Sequence, residues 1–359
     1  MESQNPIMMN EKVLIIADPH AGVRSDSDTF LNAFEKLFSE FIPKVLEQEQ
    51  TVSNIFFLGD LFDNRNTLNV KTCNWVIEAF ENFCFKYPNI KITLLTGNHD
   101  IYYRNTKEIS SLKILKSIPN IEIISEYKSI ILSNRKIVLC PWTTESEEHN
   151  TLFKEKADIC FGHFEINGFE LVEGYVEKHG TSPNRFKENF MLTFSGHFHI
   201  RSEKENIIYV GSPYETRWSD CGNSKGLYVL DLNTLNYRFI ENTAASKHKK
   251  IFLSLLKKDS SKLKEDVTNN FVSLILDENI DSRELDRLNF LLSSLKPLSF
   301  NVIEAEKDYK QTDDLGEVSS PIEYLIEYIN SIEFSNNIDK NILIRKINTL
   351  YTEMERNTL

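Results

Sequence analysis

Five of the eight histidines in this 359-residue sequence stand directly behind short apolar runs, and their neighbours are carboxylates and an amide. In chain order the polar clusters hold Asp18 and His20, then Asp60, then Asn98, His99 and Asp100, then His163, then His197 and His199. Hydrolysis of a phosphate ester on two divalent ions needs such a set. One carboxylate is shared between the ions, and imidazoles and an amide fill further positions while leaving room for water and phosphate. Asp60 is the natural shared carboxylate: it has two oxygens, and Gly59 before it lets the backbone come close to the site. In Asp18-x-His20 and His197-x-His199 the paired side chains lie on one face if the segments are extended, so each pair can converge on one site. A lone DxH or HxH means nothing; the chemistry is read from the whole set. His149, His179 and His248 lie outside the clusters and receive no role.

The elements that must position these side chains are legible around them. Apolar runs at 13–20, 54–60, 91–100, 157–163 and 191–199 each end in a polar cluster, the pattern of an α/β sheet carrying its site at the strand ends. Phe30, Phe34, Leu37, Phe38 and Phe41 recur at helical spacing after the first run, as do Trp75, Val76, Ala79, Phe80 and Phe83 after the second, which predicts two helices with core-facing stripes. Further strands at 207–210, 226–232 and 237–240 complete a domain over 1–245. Residues 250–304 read as strand (271–276), helix (282–295) and strand (298–303), a small α+β domain without a metal-capable cluster. Residues 305–320 are charged and nearly free of aliphatics, as a linker is. Over 321–359 two amphipathic stretches follow, one with Ile322, Leu325, Ile326 and Ile329, the other with Leu343, Ile347, Leu350, Tyr351 and Met354. Two short helices cannot bury both stripes alone, so they dock on a partner or fold back on their own domains.

Composition bounds the rest. The chain is 41% hydrophobic and 26% charged, ordinary for a globular protein. No run of about 18 apolar residues spans a membrane and no signal segment opens the sequence, so a soluble, non-exported protein is expected. Five scattered cysteines without CxxC spacing indicate neither a disulfide framework nor a zinc knuckle, and fit a reducing cytoplasm. The net charge of −12 argues against a protein that coats nucleic acid. It leaves room for an enzyme that meets DNA in one cleft, where bound cations supply positive charge.

The ordered blocks DPH, GDLFD, GNHD, GH and GHFH resemble the signature of calcineurin-like metallophosphoesterases. More narrowly, GHFEINGFELVEGYVEKHG at 162–180, the doubled histidine of SGHFH and YVGSPYETRW at 209–218 are similar to SbcD-type nucleases of the meiotic recombination nuclease family, in bacteria and phages. The resemblance implies a four-layer βαββα sandwich with a small α+β capping domain (250–304) and a C-terminal helical hairpin. It implies one ion on Asp18, His20, Asp60 and His199 and the other on Asp60, Asn98, His163 and His197, with manganese the expected metal. His99 would act on the scissile phosphate and Asp100 would orient it. Arg65 and Arg104 are candidates for phosphate contact. The family also implies a coiled-coil ABC ATPase of the SbcC type as partner, docked on Leu325, Ile329, Ile347 and Leu350, in a heterotetramer built on a nuclease homodimer. Its work would be exo- and endonucleolytic processing of DNA ends in recombination and double-strand break repair. Asp63 departs from the pattern: many cellular members have His at this place, three residues beyond the shared aspartate.

Two other readings compete. A phosphodiesterase or phosphatase acting on nucleotides or phosphoproteins explains the metal motifs equally well but not the 110 or so residues after the metal domain. A scaffold that has lost catalysis would be expected to have lost ligands, and every slot here holds a competent side chain.

Overall fold

The computed structural model of the chain describes residues 11–103, 106–143, 150–172 and 175–305, together with 340, 344 and 346. The chain divides into two units, Met1–Glu304 and Ala305–Leu359, and the architecture below is that of the first. The C-terminal stretch, with Leu325, Ile329, Ile347 and Leu350, lies outside the described residues, as does Arg104.

Two six-stranded sheets form the body. The first runs Tyr237–Glu241, Gly226–Asp231, Lys12–Ile16, Val52–Phe57, Lys91–Leu95, Ile121–Ile124, and its last four strands are mutually parallel. The second runs Ser202–Lys204, Ile207–Tyr209, Phe190–Gly196, Ala157–His163, Arg135–Cys140, Lys128–Leu132, with a parallel centre and antiparallel edges. The central strands are apolar at nearly every position because both faces are covered. Val13, Ile15, Phe56 and Leu58 point to the second sheet, where they meet Ile137, Leu139, Ile159, Phe161 and Phe194. Leu14, Ile16, Ile55 and Phe57 point the other way, onto Phe34, Phe38, Phe80 and Phe83. The outer face of the second sheet carries Val138, Cys160 and Tyr209 against Phe164 and Phe186. Helices, sheet, sheet and a thinner outer cover make four layers, the sandwich expected from the resemblance.

The aromatic stripes do become helices. Asp28–Lys36 continues through a π-turn at Leu37–Phe41, and Val70–Lys86 starts at Asn69, whose side chain accepts from the Lys71 amide and satisfies one of the amides left open at a helix start. A third sheet, wholly parallel, is formed by His248–Phe252, Phe271–Leu276 and Ser299–Glu304, with helix Ser282–Ser294 beside it. It has its own small core of Val267, Val272, Leu274 and Leu292. It joins the body through the stacking of Phe271 on Phe30 at 5.3 Å, and within the sheet Phe271 also stacks on the His248 ring at 4.6 Å. His248 is buried; Glu215 accepts from its amide and lies 3.0 Å from its Nδ1, and Trp218 packs edge-on against its ring. The five cysteines form no disulfide, and among the described residues no helix is long and apolar enough to cross a membrane.

Candidate active site

All seven candidate metal-binding residues leave the sheets at one edge. Asp18 and His20 follow strand Lys12–Ile16, Asp60 follows Val52–Phe57, and Asn98 follows Lys91–Leu95 in the first sheet. His163 ends Ala157–His163, and His197 and His199 follow Phe190–Gly196 in the second. Carboxyl ends of parallel strands are where open α/β sheets bring loops together around ligands.

The pairs do not converge as extended segments. Asp18 (φ 50°), His20 (φ 46°), Asp60 (φ 51°) and His197 (φ 89°) all adopt left-handed backbone. Each such residue costs about 1–3 kcal/mol and persists only where its surroundings dictate it. Here the dictating contacts are visible: the Asp18, His20 and Ala21 amides donate to the carbonyls of Gly59, Asp60 and Leu61, so two loops stay paired beyond the ends of their strands. The curled backbone, rather than strand alternation, aims the side chains inward. Gly59 is required at this crossing, since its φ is 103° and a Cβ there would stand 2.4 Å from His163 Nδ1. Gly97 is tighter still, for its Cβ would lie 2.2 Å from both the Asp60 amide nitrogen and Asp60 Oδ1. Gly97→Ala is therefore expected to displace the Asp60 carboxylate. It should lower stability by about 1–3 kcal/mol through overpacking and weaken divalent-ion affinity. Thermal unfolding and ion titration check this; an unchanged melting temperature and affinity would contradict the crowding.

The site's polar atoms are mostly acceptors facing one another. His163 Nδ1 lies 2.7 Å from the Leu58 carbonyl, which can only accept, so that nitrogen donates. His163 Nε2 then meets Asn98 Oδ1 at 2.9 Å and Asp60 Oδ2 at 3.4 Å. His197 Nδ1 stands 3.0 Å from the same Asn98 oxygen. Across the site His20 Nε2 and His199 Nε2 are 2.8 Å apart, and His199 Nδ1 is buried without a hydrogen-bond partner. Asp60 accepts the His99 amide on Oδ1, and both Asp18 oxygens accept the His197 amide.

Charge tells the same story. Burial pushes Asp18 up to about 7, opposed by His163 and reinforced by repulsion from Asp60. Burial acts to raise Asp60 too, but His163, His20 and His99 outweigh it and hold Asp60 well below the usual carboxylate range. Burial lowers His163, yet Asp60 overrides it and lifts the ring to about 9. Burial drives His197 down to about 3, with the His163 charge adding to it, and His199 falls well below its ordinary value for the same first reason. The imidazolium at His163 thus stands where a cation belongs. Buried carboxylates, neutral imidazoles and an amide oxygen, with a stranded ring nitrogen, fit divalent ions.

His99 lies beside this set, its ring edge-on to His20 at 5.0 Å. Its orienting partner is not Asp100. The Asp100 carboxylate is committed to the amides of Gly97 (2.9 Å), Phe62 (3.1 Å) and Leu61 (3.4 Å), because burial leaves it to satisfy a turn that has no other acceptor. His99 Nδ1 donates instead to the Asp63 carbonyl at 2.5 Å. Asp63 also sets a carboxylate oxygen 3.3 Å from His20 Nδ1, off line for a hydrogen bond but close enough to bias the ring. The sequence marked Asp63 only as a departure; its position three residues beyond Asp60 was the signal of a place in the site. Arg65 is half-buried two residues further on and does not line the cleft.

That cleft, about 230 Å³, is lined by Asp60, Asn98, His99, His197, His199, Ile200, Arg217, Ser219 and Asp220. Trp142 stacks on the His197 ring at 5.0 Å. Trp142 carries no spacing signal in the sequence, and Arg217 was met only inside YVGSPYETRW, a block that marked the resemblance without giving the arginine a role.

Comparison with known proteins agrees with this geometry. Exonuclease subunit 1 of Enterobacteria phage T4 is 28% identical over 351 residues, covering 95% of this chain and 99% of that protein. Among solved structures, an archaeal phosphodiesterase matches 64% of this chain and 99% of its own at 16% identity and TM-score 0.34. A protein of unknown function from Aquifex aeolicus matches 55% of this chain and 83% of its own at 20% identity and TM-score 0.29. At those scores the solved structures add nothing to the fold or the function. The profile of the calcineurin-like phosphoesterases matches residues 11–201, the stretch that holds all seven candidate metal-binding residues, and the chain belongs to that family of metal-dependent phosphoesterases.

Proposed function

We propose that the chain is the nuclease subunit of an SbcD-type complex, cutting DNA phosphodiester bonds on two divalent ions. The observation that carries this reading is the match to the phage exonuclease subunit over 95% of the chain, which includes the small third sheet and the C-terminal stretch that a stand-alone phosphatase would not need. One ion would be held by Asp18, His20, Asp60 and His199, the other by Asp60, Asn98, His163 and His197. Manganese suits such mixed carboxylate, amide and imidazole donors. When bound, the ions would neutralise phosphate oxygens and acidify an attacking water.

The chain's own residues do the rest. Asp60 is fixed by the His99 amide, so the shared carboxylate and the candidate acid are registered to each other. His99, with Nδ1 committed to the Asp63 carbonyl, keeps Nε2 for the cleft it lines. There it would pass a proton to the leaving oxygen or stabilise the charge developing on it.

The same reading includes exo- and endonuclease action on DNA ends in recombination and repair, a homodimer of this chain, a reducing cytoplasm, and an SbcC-type ATPase gripped by residues 321–359. The purified chain with manganese should degrade linear DNA, lose the activity to chelator, and become ATP-responsive with its ATPase. A chain ending near Ser320 should retain manganese-dependent cleavage of short DNA but fail to co-purify with the ATPase, and Leu325→Asp or Ile347→Asp should do so more mildly. Cleavage of nucleotides or phosphoproteins but not DNA would favour the phosphatase alternative. Undiminished ATPase binding by the truncated chain would remove the partner role from the hairpin.

A further inference from the structure

We infer that Arg217 grips a DNA backbone phosphate flanking the scissile one, and so favours polynucleotides over small phosphodiesters. The inference rests on the nuclease reading above and starts from a contrast within the cleft. Of the candidate ligands on the cleft lining, Asp60 is 2% exposed and Asn98, His197 and His199 are half-buried, whereas Arg217 on the same lining is exposed. A phosphate seated over the candidate ion ligands would meet the ions and His99, and the next phosphate of a strand, toward the rim, would be the one to meet Arg217. It is the only Lys or Arg that lines this cleft among the described residues. Its guanidinium has no carboxylate within ion-pair distance among them, although its charge is felt at Asp63 and His199. An unpaired, permanently charged fork at the mouth of a phosphodiesterase site matches phosphate oxygens in geometry and charge.

The backbone beneath Arg217 is held as a positioned group requires. Asp220 Oδ2 accepts the amides of Thr216 (2.9 Å) and Arg217 (3.1 Å). The other Asp220 oxygen accepts from buried Lys225 at 3.0 Å, and the same ammonium donates to the His199 carbonyl at 2.5 Å. One buried lysine therefore registers Arg217 to a candidate ion ligand. The loop is fixed on its other side too, by Tyr214 donating to the Pro19 carbonyl and by Glu215 bonded to His248 of the third sheet. Arg217 is thus an exposed side chain on a rigid base.

The test compares Arg217→Ala, Arg217→Lys and the wild type, all full-length and manganese-loaded, on an oligonucleotide and on bis(p-nitrophenyl) phosphate, which has no flanking phosphate. Arg283→Ala, which removes the same charge from an exposed helix of the third sheet, is the control. The alanine variant is expected to lose about 10- to 100-fold in kcat/KM on the oligonucleotide, mostly through KM, as loss of a charge-assisted contact does. Hydrolysis of the small diester should stay within about twofold, and the slope of log KM against log salt should become shallower by about 0.7–0.9, one phosphate contact. Lysine should restore the salt slope and part of the affinity. Equal losses on both substrates would overturn the inference in favour of a structural or scissile-phosphate role, and no loss on either would overturn it outright. If the wild type hydrolyses the small diester but not DNA, the nuclease reading itself has failed, a result visible before any variant is made.

Discussion

Replacing His99 by alanine is expected to slow DNA cleavage by about 10²- to 10⁴-fold while ion and DNA binding persist. The structure gives this separation a physical basis. What His99 contributes to the candidate ion site is its backbone amide, which donates to Asp60 Oδ1 at 2.8 Å, and alanine keeps that amide. What alanine removes is the ring, anchored through Nδ1 to the Asp63 carbonyl and lowered in proton affinity by burial, which makes its protonated form a readier donor from Nε2. Single-turnover rates alongside manganese titration read the two properties separately. Loss of an ion with the ring would mean that His99 is a ligand and that its place in the proposed mechanism is wrong.

If the proposed two-ion site holds, Asp60→Asn should be more damaging, by at least about 10⁴-fold, because it would disable both ions at once and with them most of the acceleration such a site provides. Asp60 is the residue common to the two halves of the cluster, grouped with Asp18 and His20 on one side and with His163 and His197 on the other. Asparagine preserves the volume and one acceptor for the His99 amide but not the charge. Manganese stoichiometry should fall from two to at most one. The ion-free variant should melt no higher than the wild type near neutral pH, since the loss of the charges that hold Asp60 ionised, His163 above all, offsets the relief of repulsion at Asp18. Retention of two ions with substantial activity would show that the bridging carboxylate has been misassigned.

Much of this molecule was legible before its structure. The central strands could be read because residues buried on both faces leave unbroken apolar runs such as 13–16 and 55–58, and the helices because their aromatic stripes follow the helical period. The strand at 271–276 and the helix beginning at Ser282 were placed correctly for the same reasons. The strands Ile121–Ile124, Lys128–Leu132 and Arg135–Cys140 were not read. Lys128–Leu132 is an edge strand with most of its residues exposed or half-buried, so its identity depends on the neighbour it pairs with. His248–Phe252 was missed at a presumed domain boundary, because its defining contacts are with Glu215, Trp218 and Phe271, remote in sequence.

For the site, the sequence by itself determined the chemical inventory: carboxylates, an amide and imidazoles placed just after buried strands, where apolar burial stops and polar side chains can turn inward. It could not determine how they meet. The left-handed backbone at Asp18, His20, Asp60 and His197 is imposed by hydrogen bonds and close glycines from other loops, so no local rule predicts it. The same holds for partners. The family resemblance implied that Asp100 orients its neighbour His99, but a buried carboxylate goes to the donors that packing leaves unsatisfied, here the amides of Gly97, Phe62 and Leu61. Arg217 stands 118 positions beyond His99 in the chain and on the same cleft wall in space. Local sequence decides which groups a segment can offer; only the packing of two sheets decides which of them share a cavity.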